Sequence, residues 1–179
     1  EGFFHWELEF PEVFFGSDGE RLDGAGFDAV VGNPPYVVIE GQIEQYLRDT
    51  YESPQYFVDL FHVFIEKGID ICRTGGGFGY IIPEPWLTQE NTESLRNVVL
   101  SNSAIRRVTR FDSKVFADAT VDTMTLHLEK DSPGEVEIAQ AHNESGGSMD
   151  LEIINTVPQT AFSEQDLKRI EVRQTAEAQ

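Results

Sequence analysis

The residues with the clearest capacity for chemistry are Asn33-Pro34-Pro35-Tyr36. Two successive residues without an amide donor break a β-ladder, so this run must leave its strand as a rigid loop. Such a loop can hold the Asn33 side-chain oxygen and the Pro34 carbonyl as two acceptors aimed at one amino group. Two acceptors on an exocyclic amine orient its lone pair for attack and draw off charge as it develops, without a strong base. Tyr36 adds a flat face on which a planar base can stack. The bland alternative is a rigid strand-to-loop turn with a capping Asn. Phe27-Asp28-Ala29-Val30-Val31-Gly32, which reads as a short buried strand, shifts the balance toward function. In an open α/β sheet, ligands sit beyond the carboxyl ends of the strands, and residues 33–36 leave from such an end.

The elements that must position this loop follow it. From Phe57 to Cys72 the apolar residues Leu60, Phe61, Phe64, Ile65, Ile69 and Cys72 recur at helical spacing. Arg73-Thr74-Gly75-Gly76-Gly77 predicts a left-handed helix cap, and Phe78 to Ile82 a buried strand closed by Pro83. A second helix is expected from about Gln89 to Ser101 behind a capping box of Thr88 and Asn91, then strands over 105–112 and 121–129. This order predicts an open α/β sheet with an antiparallel edge. The aromatic opening, residues 3–15, needs a cover and ends in a glycine-rich loop. Beyond Lys130 the glycine, serine and acidic content rises, with strand-like pieces at 135–141 and 150–155. The expected division is a lead-in over 1–26, a catalytic part over 27–130, and a linker or the start of a recognition region over 131–179.

Composition narrows the classes further. The chain has 179 residues, 40% hydrophobic and 25% charged, with 13 basic against 32 acidic side chains and a net charge of −19. That excludes collagenous and disordered chains, and no run approaches the roughly 18 to 20 apolar residues of a membrane helix. A single cysteine, Cys72, and no signal-peptide pattern point to a reducing, cytoplasmic setting. The first methionine is Met124, which leads to the expectation that the chain is part of a longer product. The acidic excess, spread along the chain, is read as adaptation to high salt, with an ordinary acidic protein as the alternative. Such a charge opposes DNA, so any contact needs a local basic patch. Arg106, Arg107, Arg110 and Lys114, near Phe116, form the candidate phosphate strip, with a solvated strand edge as the rival reading. The four histidines have no metal-ligand spacing with Cys72 or one another; they read as satisfied or surface residues, and no metal is expected.

On these residues the sequence resembles the amino-group methyltransferases that use S-adenosyl-L-methionine, most of all the DNA adenine-N6 methyltransferases of restriction-modification systems. Phe27 to Tyr36 matches their catalytic motif. The likeness continues through Val58 to Gly68, Gly75 to Pro83, Trp86-Leu87, Leu95-Arg96, Phe111-Asp112, Val115-Phe116 and Val121-Asp122-Thr123. The lead-in Phe4 to Phe14 is similar to the stretch before the catalytic strand in fused type IIG restriction-methylation enzymes and phage-defence methylases. The resemblance implies the C-terminal part of a Rossmann-like methyltransferase sheet with an antiparallel edge hairpin. It also implies that Asn33 and Pro34 hold the target amino group of an adenine displaced from double-stranded DNA, with Pro35 and Tyr36 completing the catalytic motif, that Tyr36 and Phe116 stack on that base, and that Phe64 contacts the cofactor. By helical pattern alone, Phe64 is instead core.

One departure stands out. A cofactor half needs a glycine-rich strand-to-helix turn and an acidic residue after the second strand, and the sequence has neither. The expectation is a catalytic half lacking its N-terminal partner half and inactive alone. Methylation of RNA or of a protein glutamine by the same motif, and a non-catalytic truncated remnant, remain as alternatives.

Overall fold

A computed structural model of the chain describes residues 4–116, 121–143 and 148–171. Two helical turns, α1 (Trp6–Glu9) and α2 (Pro11–Phe14), lead to β1 (Phe27–Gly32). Then come β2 (Val38–Ile39), α3 (Gln42–Thr50), β3 (Val58–Asp59), α4 (Leu60–Ile71) and β4 (Cys72–Pro83). Two 3₁₀ turns, Glu84–Leu87 and Glu90–Thr92, precede α5 (Glu93–Asn102), β5 (Ala104–Phe111) and β6 (Thr123–Glu129). The hairpin β7 (Glu135–Asn143) and β8 (Met149–Pro158) is followed by the single turn α6 (Thr160–Ser163). Among the described residues, no helix is long and apolar enough to cross a membrane.

The main sheet has the order β1-β4-β6-β5-β7-β8. Strands β1, β4, β5 and β7 run one way and β6 and β8 the other, so Asn33, Glu84 and Asp112 all leave from one rim. The β5–β6 hairpin packs beside β4, and the β7–β8 hairpin forms the outer edge. The strand-like pieces read at 135–141 and 150–155 are β7 and β8. The boundary expected near residue 131 therefore falls within one continuous sheet, because β7 pairs in parallel with β5.

Helix α4 lies against this sheet because its sequence leaves room for it. The Asp59 carboxylate accepts the Phe61 N–H at 3.4 Å and starts the helix, and Phe61, Ile65 and Ile69 enter the core. At Gly68 an added Cβ would stand 2.5 Å from the Phe78 ring, so a bare backbone lets α4 rest on β4. The expected glycine cap does not form. Helix α4 ends at Ile71 and runs directly into β4, and Lys130 Nζ donates to the Asp70 and Cys72 carbonyls at 3.0 and 2.8 Å. A cation thus serves the helix C-terminus, favoured there by the helix dipole. The glycines are used inside β4 instead: a Cβ at Gly76 would lie 2.8 Å from the Phe27 carbonyl across the β1–β4 pair.

Two further expectations change. The second helix begins later, at Glu93, and the Thr88–Asn91 capping box is absent; the Thr92 hydroxyl donates instead toward the carbonyls of Trp86 and Gln89, both at 2.9 Å. Strand β1, read as buried, lies at the edge of the sheet with Asp28, Ala29, Val31 and Gly32 exposed. Its apolar run packs only in part: Val30 meets the core, while Val31 is 79% exposed. The aromatic opening finds its cover at the start of β1, where Phe27 meets the rings of Trp6, Phe10 and Phe14 edge-on at 5.4–5.6 Å.

Candidate active site

The loop Asn33 to Tyr36 leaves β1 where the parallel β4 ends, and the two strands fix its shape. Pro34 is buried, whereas Asn33 and Pro35 are exposed. The Tyr36 phenol donates to the Ile81 carbonyl of β4 at 2.8 Å and stands 3.1 Å from Asn33 Oδ1. One phenolic proton serves two acceptors, the nearer being Ile81, so Asn33 Oδ1 retains capacity for another donor. Burial raises the Tyr36 pKa, which keeps that proton in place at neutral pH. The Tyr36 ring also meets Phe61 of α4 edge-on at 6.2 Å. Strand, helix and loop together hold this side chain in one orientation.

Two cavities flank the loop. The first, about 400 Å³, is lined by Val30, Val31, Asn33, Pro34 and Phe64 among others. Phe64 is 42% exposed here, so its reading as helix core is corrected: it stands out of the α4 stripe into the cavity that touches the motif. The second cavity, also about 400 Å³, is lined by Tyr36, Asp59, His62, Trp86 and Gln89 among others. Burial raises the Asp59 pKa, opposed by backbone N–H groups that favour the ion.

The remaining candidates fall elsewhere. Phe116 is 37% exposed and is not among the lining residues of either cavity. The basic strip is largely neutralised by the acidic side chains around it. Arg106 pairs with Glu129 at 2.7 Å and Asp131 at 3.4 Å, Arg107 pairs with Glu137, and Arg110 pairs with Glu84 at 2.8 Å. With 32 acidic residues in the chain, arginines on β5 find carboxylates on the neighbouring strands, Glu129 and Glu137, and in the segments beyond strand ends, Asp131 and Glu84. Three of the four predicted phosphate contacts therefore present ion pairs rather than free cations.

Sequence reasoning missed the second cavity's polar lining. His62, read as satisfied or on the surface, is 1% exposed and has no hydrogen-bond partner for either ring nitrogen among the described residues. Burial lowers its pKa to about 4. Its position beside the apolar stripe of Phe61, Ile65 and Ile69, without metal-ligand spacing to another histidine, gave no sign of this. Arg96, noted only as part of the resemblance, is fully buried. Its guanidinium donates to the Trp86 carbonyl at 2.6 Å, Thr92 Oγ1 at 2.7 Å and the Leu167 carbonyl at 2.8 and 3.0 Å. Burial lowers its pKa to about 10, which leaves it charged at neutral pH.

These features meet a known pattern. The chain belongs to the Eco57I restriction-modification methylase family, whose model matches residues 1–116. It is 32% identical over 129 residues to the type II restriction enzyme and methyltransferase RM.Eco57I of Escherichia coli. That match covers 68% of this chain and 13% of the relative, so the chain spans a small part of the relative's length. In fold it is similar to the type IIG restriction endonuclease BpuSI, with a TM-score of 0.55 and 16% identity over 75% of this chain and 19% of that one. It is likewise similar to the methyltransferase subunit of the type I restriction-modification system of Streptococcus thermophilus, with a TM-score of 0.52 and 18% identity over 69% of this chain and 28% of that one. The restriction-modification methylase family and the methyltransferase fold that the long resemblance implies are thereby established.

Proposed function

We propose that this chain is the catalytic half of a DNA adenine-N6 methyltransferase of a restriction-modification system, acting on double-stranded DNA with S-adenosyl-L-methionine. The observation that carries this reading is the Asn33–Tyr36 loop at the end of β1, anchored through Tyr36 to the end of β4 and flanked by two cavities. Asn33 Oδ1 and the Pro34 carbonyl accept from the target amino group and polarise it. Tyr36 supplies the stacking face for a base taken out of the duplex, whose lost stacking costs a few kcal/mol. Pro35 keeps the loop rigid.

The first cavity fits the cofactor: Val30, Val31 and Phe64 give it an apolar lining suited to a planar base, beside the motif. S-adenosyl-L-methionine, when bound, supplies an electrophilic methyl group. Phe64, Val30 and Val31 would hold the cofactor, while Asn33 and Pro34 hold the amino group at the same cavity.

The remaining cofactor contacts belong, in this reading, to an N-terminal half of the domain that adds to β1. Support comes from β1 itself, a parallel strand whose apolar Val31 faces outward at the sheet edge, since parallel strands are ordinarily covered on both sides. Calorimetric titration of S-adenosyl-L-methionine into this chain, and into the chain joined to its upstream coding segment, tests the arrangement. Heat of binding from the longer protein alone supports it, and equal binding by the short chain contradicts it.

A further inference from the structure

A chain with 32 acidic residues needs local cations to approach a DNA backbone, and the arginines of β5 are tied to carboxylates. Elsewhere Arg48 holds Glu44, Arg73 holds Asp28, Lys67 holds Asp70 and Lys130 serves backbone carbonyls. Lys168 and Arg169 differ. They are adjacent and partly exposed, and neither has a carboxylate within ion-pair distance among the described residues.

The backbone that carries them is held in an unusual shape. Leu167 and Lys168 adopt φ of +55° and +48°, the left-handed region that a side chain makes costly. Such a conformation persists only where the surroundings hold it. Here the buried Arg96 guanidinium donates twice to the Leu167 carbonyl, at 2.8 and 3.0 Å. The Ile170 N–H donates to the Leu87 carbonyl at 2.8 Å, and the Ile170 side chain is fully buried. Arg169 Nε donates to the Thr88 carbonyl at 3.2 Å. The segment is thereby fastened to the turn that follows β4.

That turn stands at the rim from which Asn33 leaves, because β1 and β4 are parallel and Glu84 follows the end of β4. Arg169 lines a cavity of about 410 Å³ there, with Glu84, Pro85, Thr88, Arg110 and Glu171 among others. Pro85 also lines the cavity that contains Tyr36, so the two share a wall. A duplex whose displaced base reaches the Asn33–Tyr36 loop lies across this rim and runs its phosphates past it. Of the cavity's carboxylates, Glu84 is held by Arg110 in two contacts at 2.8 and 2.9 Å, and Glu171 forms no ion pair among the described residues. Burial lowers the Arg96 pKa, Glu93 opposes the shift and the Arg169 charge adds to it, a like-charge approach that a bound anion relieves.

We propose that Lys168 and Arg169 contact backbone phosphates of the DNA beside the target base, as the cations that the β5 strip was expected to supply. Contacts of this kind fix affinity and register without reading sequence. The inference rests on double-stranded DNA as the substrate.

Binding of a fluorescein-labelled duplex to the chain, and to the chain joined to its upstream coding segment, is followed by anisotropy over a KCl series. Each lost phosphate contact lowers the slope of log affinity against log salt by about 0.9 and costs about eightfold at 0.1 M KCl. Lys168→Gln and Arg169→Gln are each expected to show that change in every duplex sequence, and the double variant about twice it on the logarithmic scale. Arg169→Lys keeps the charge and should keep the slope, which a structural role for the guanidinium alone does not allow. Lys168 makes no side-chain hydrogen bond or ion pair among the described residues, so the effect of Lys168→Gln does not pass through folding.

Two different failures are separable. Duplex binding that Lys168→Gln and Arg169→Gln leave unchanged in slope, or an equal loss of slope in Arg106→Gln with Arg107→Gln, which would make net charge the cause, overturns the assignment and spares the functional reading. If neither protein binds a duplex at any salt, the functional reading falls with the assignment.

Discussion

Replacing His62 with leucine should change how the stability of this chain depends on pH. In the unfolded chain the imidazole titrates near 6.5, whereas in the fold burial lowers its pKa to about 4. Between those values the unfolded state binds a proton that the folded state refuses. Folding stability contributed by this group is therefore intact above 6.5, falls as the pH drops toward 4, and stops falling below that. The interval is worth about 1.4 kcal/mol for each pH unit, or about 3 kcal/mol at pH 4. With a urea dependence of about 2 kcal/mol per molar for a domain of this size, the wild-type midpoint should lose about 1.5 M relative to His62→Leu. Asp59 lines the same cavity and its pKa is raised, so it acts in the opposite sense; it is present in both proteins and cancels in the difference. The assay is urea unfolding followed by circular dichroism at intervals from pH 7 to 4. Parallel curves for the two proteins would show that the ring is solvated or paired, and would refute the description of His62 as an unanswered buried group.

Other expectations follow from single contacts. Arg96→Met removes charged donors from the Trp86 and Leu167 carbonyls, and relief of burying a charge offsets only part of the loss. A fall of about 3 kcal/mol is expected, or roughly 10 °C in thermal unfolding, and a fall of less than about 1 kcal/mol would contradict the role assigned to Arg96. Gly68→Ala improves helix propensity yet drives a methyl group into the Phe78 ring, so urea unfolding should show a net loss of about 1–2 kcal/mol; an unchanged or raised midpoint would mean that α4 does not need the close approach. Raising KCl to 1 M shortens the screening length to about 3 Å and should raise the urea midpoint of a chain of charge −19, and a fixed or falling midpoint removes the reading of adaptation to salt.

The sequence showed the loop, the main helix and the strand order because each rests on local rules. Two prolines must end a strand, and a stripe of Phe61, Ile65 and Ile69 must face a core. The cap of α4 was misread because its partner, Lys130, lies 60 residues beyond the Asp70 carbonyl it serves, whereas a run of glycines is visible at once. The exposure of β1 was equally hidden, since an apolar run looks the same whether one neighbour or two will cover it. Arg106, Arg107 and Arg110 looked like a cationic strip until the neighbouring strands placed Glu129 and Glu137, and the turn after β4 placed Glu84, against them. His62 of α4 and Trp86 of the turn after β4 come to line one cavity. No spacing in the chain reports that meeting.

The central claim is tested most directly by the modified base itself. The chain joined to its upstream coding segment is incubated with duplex DNA and S-adenosyl-L-methionine, and the digested nucleosides are separated and weighed by mass spectrometry. The account predicts N6-methyladenosine in its deoxy form, lost in Asn33→Ala. Methylcytosine as the product, or N6 methylation that survives Asn33→Ala, would contradict it.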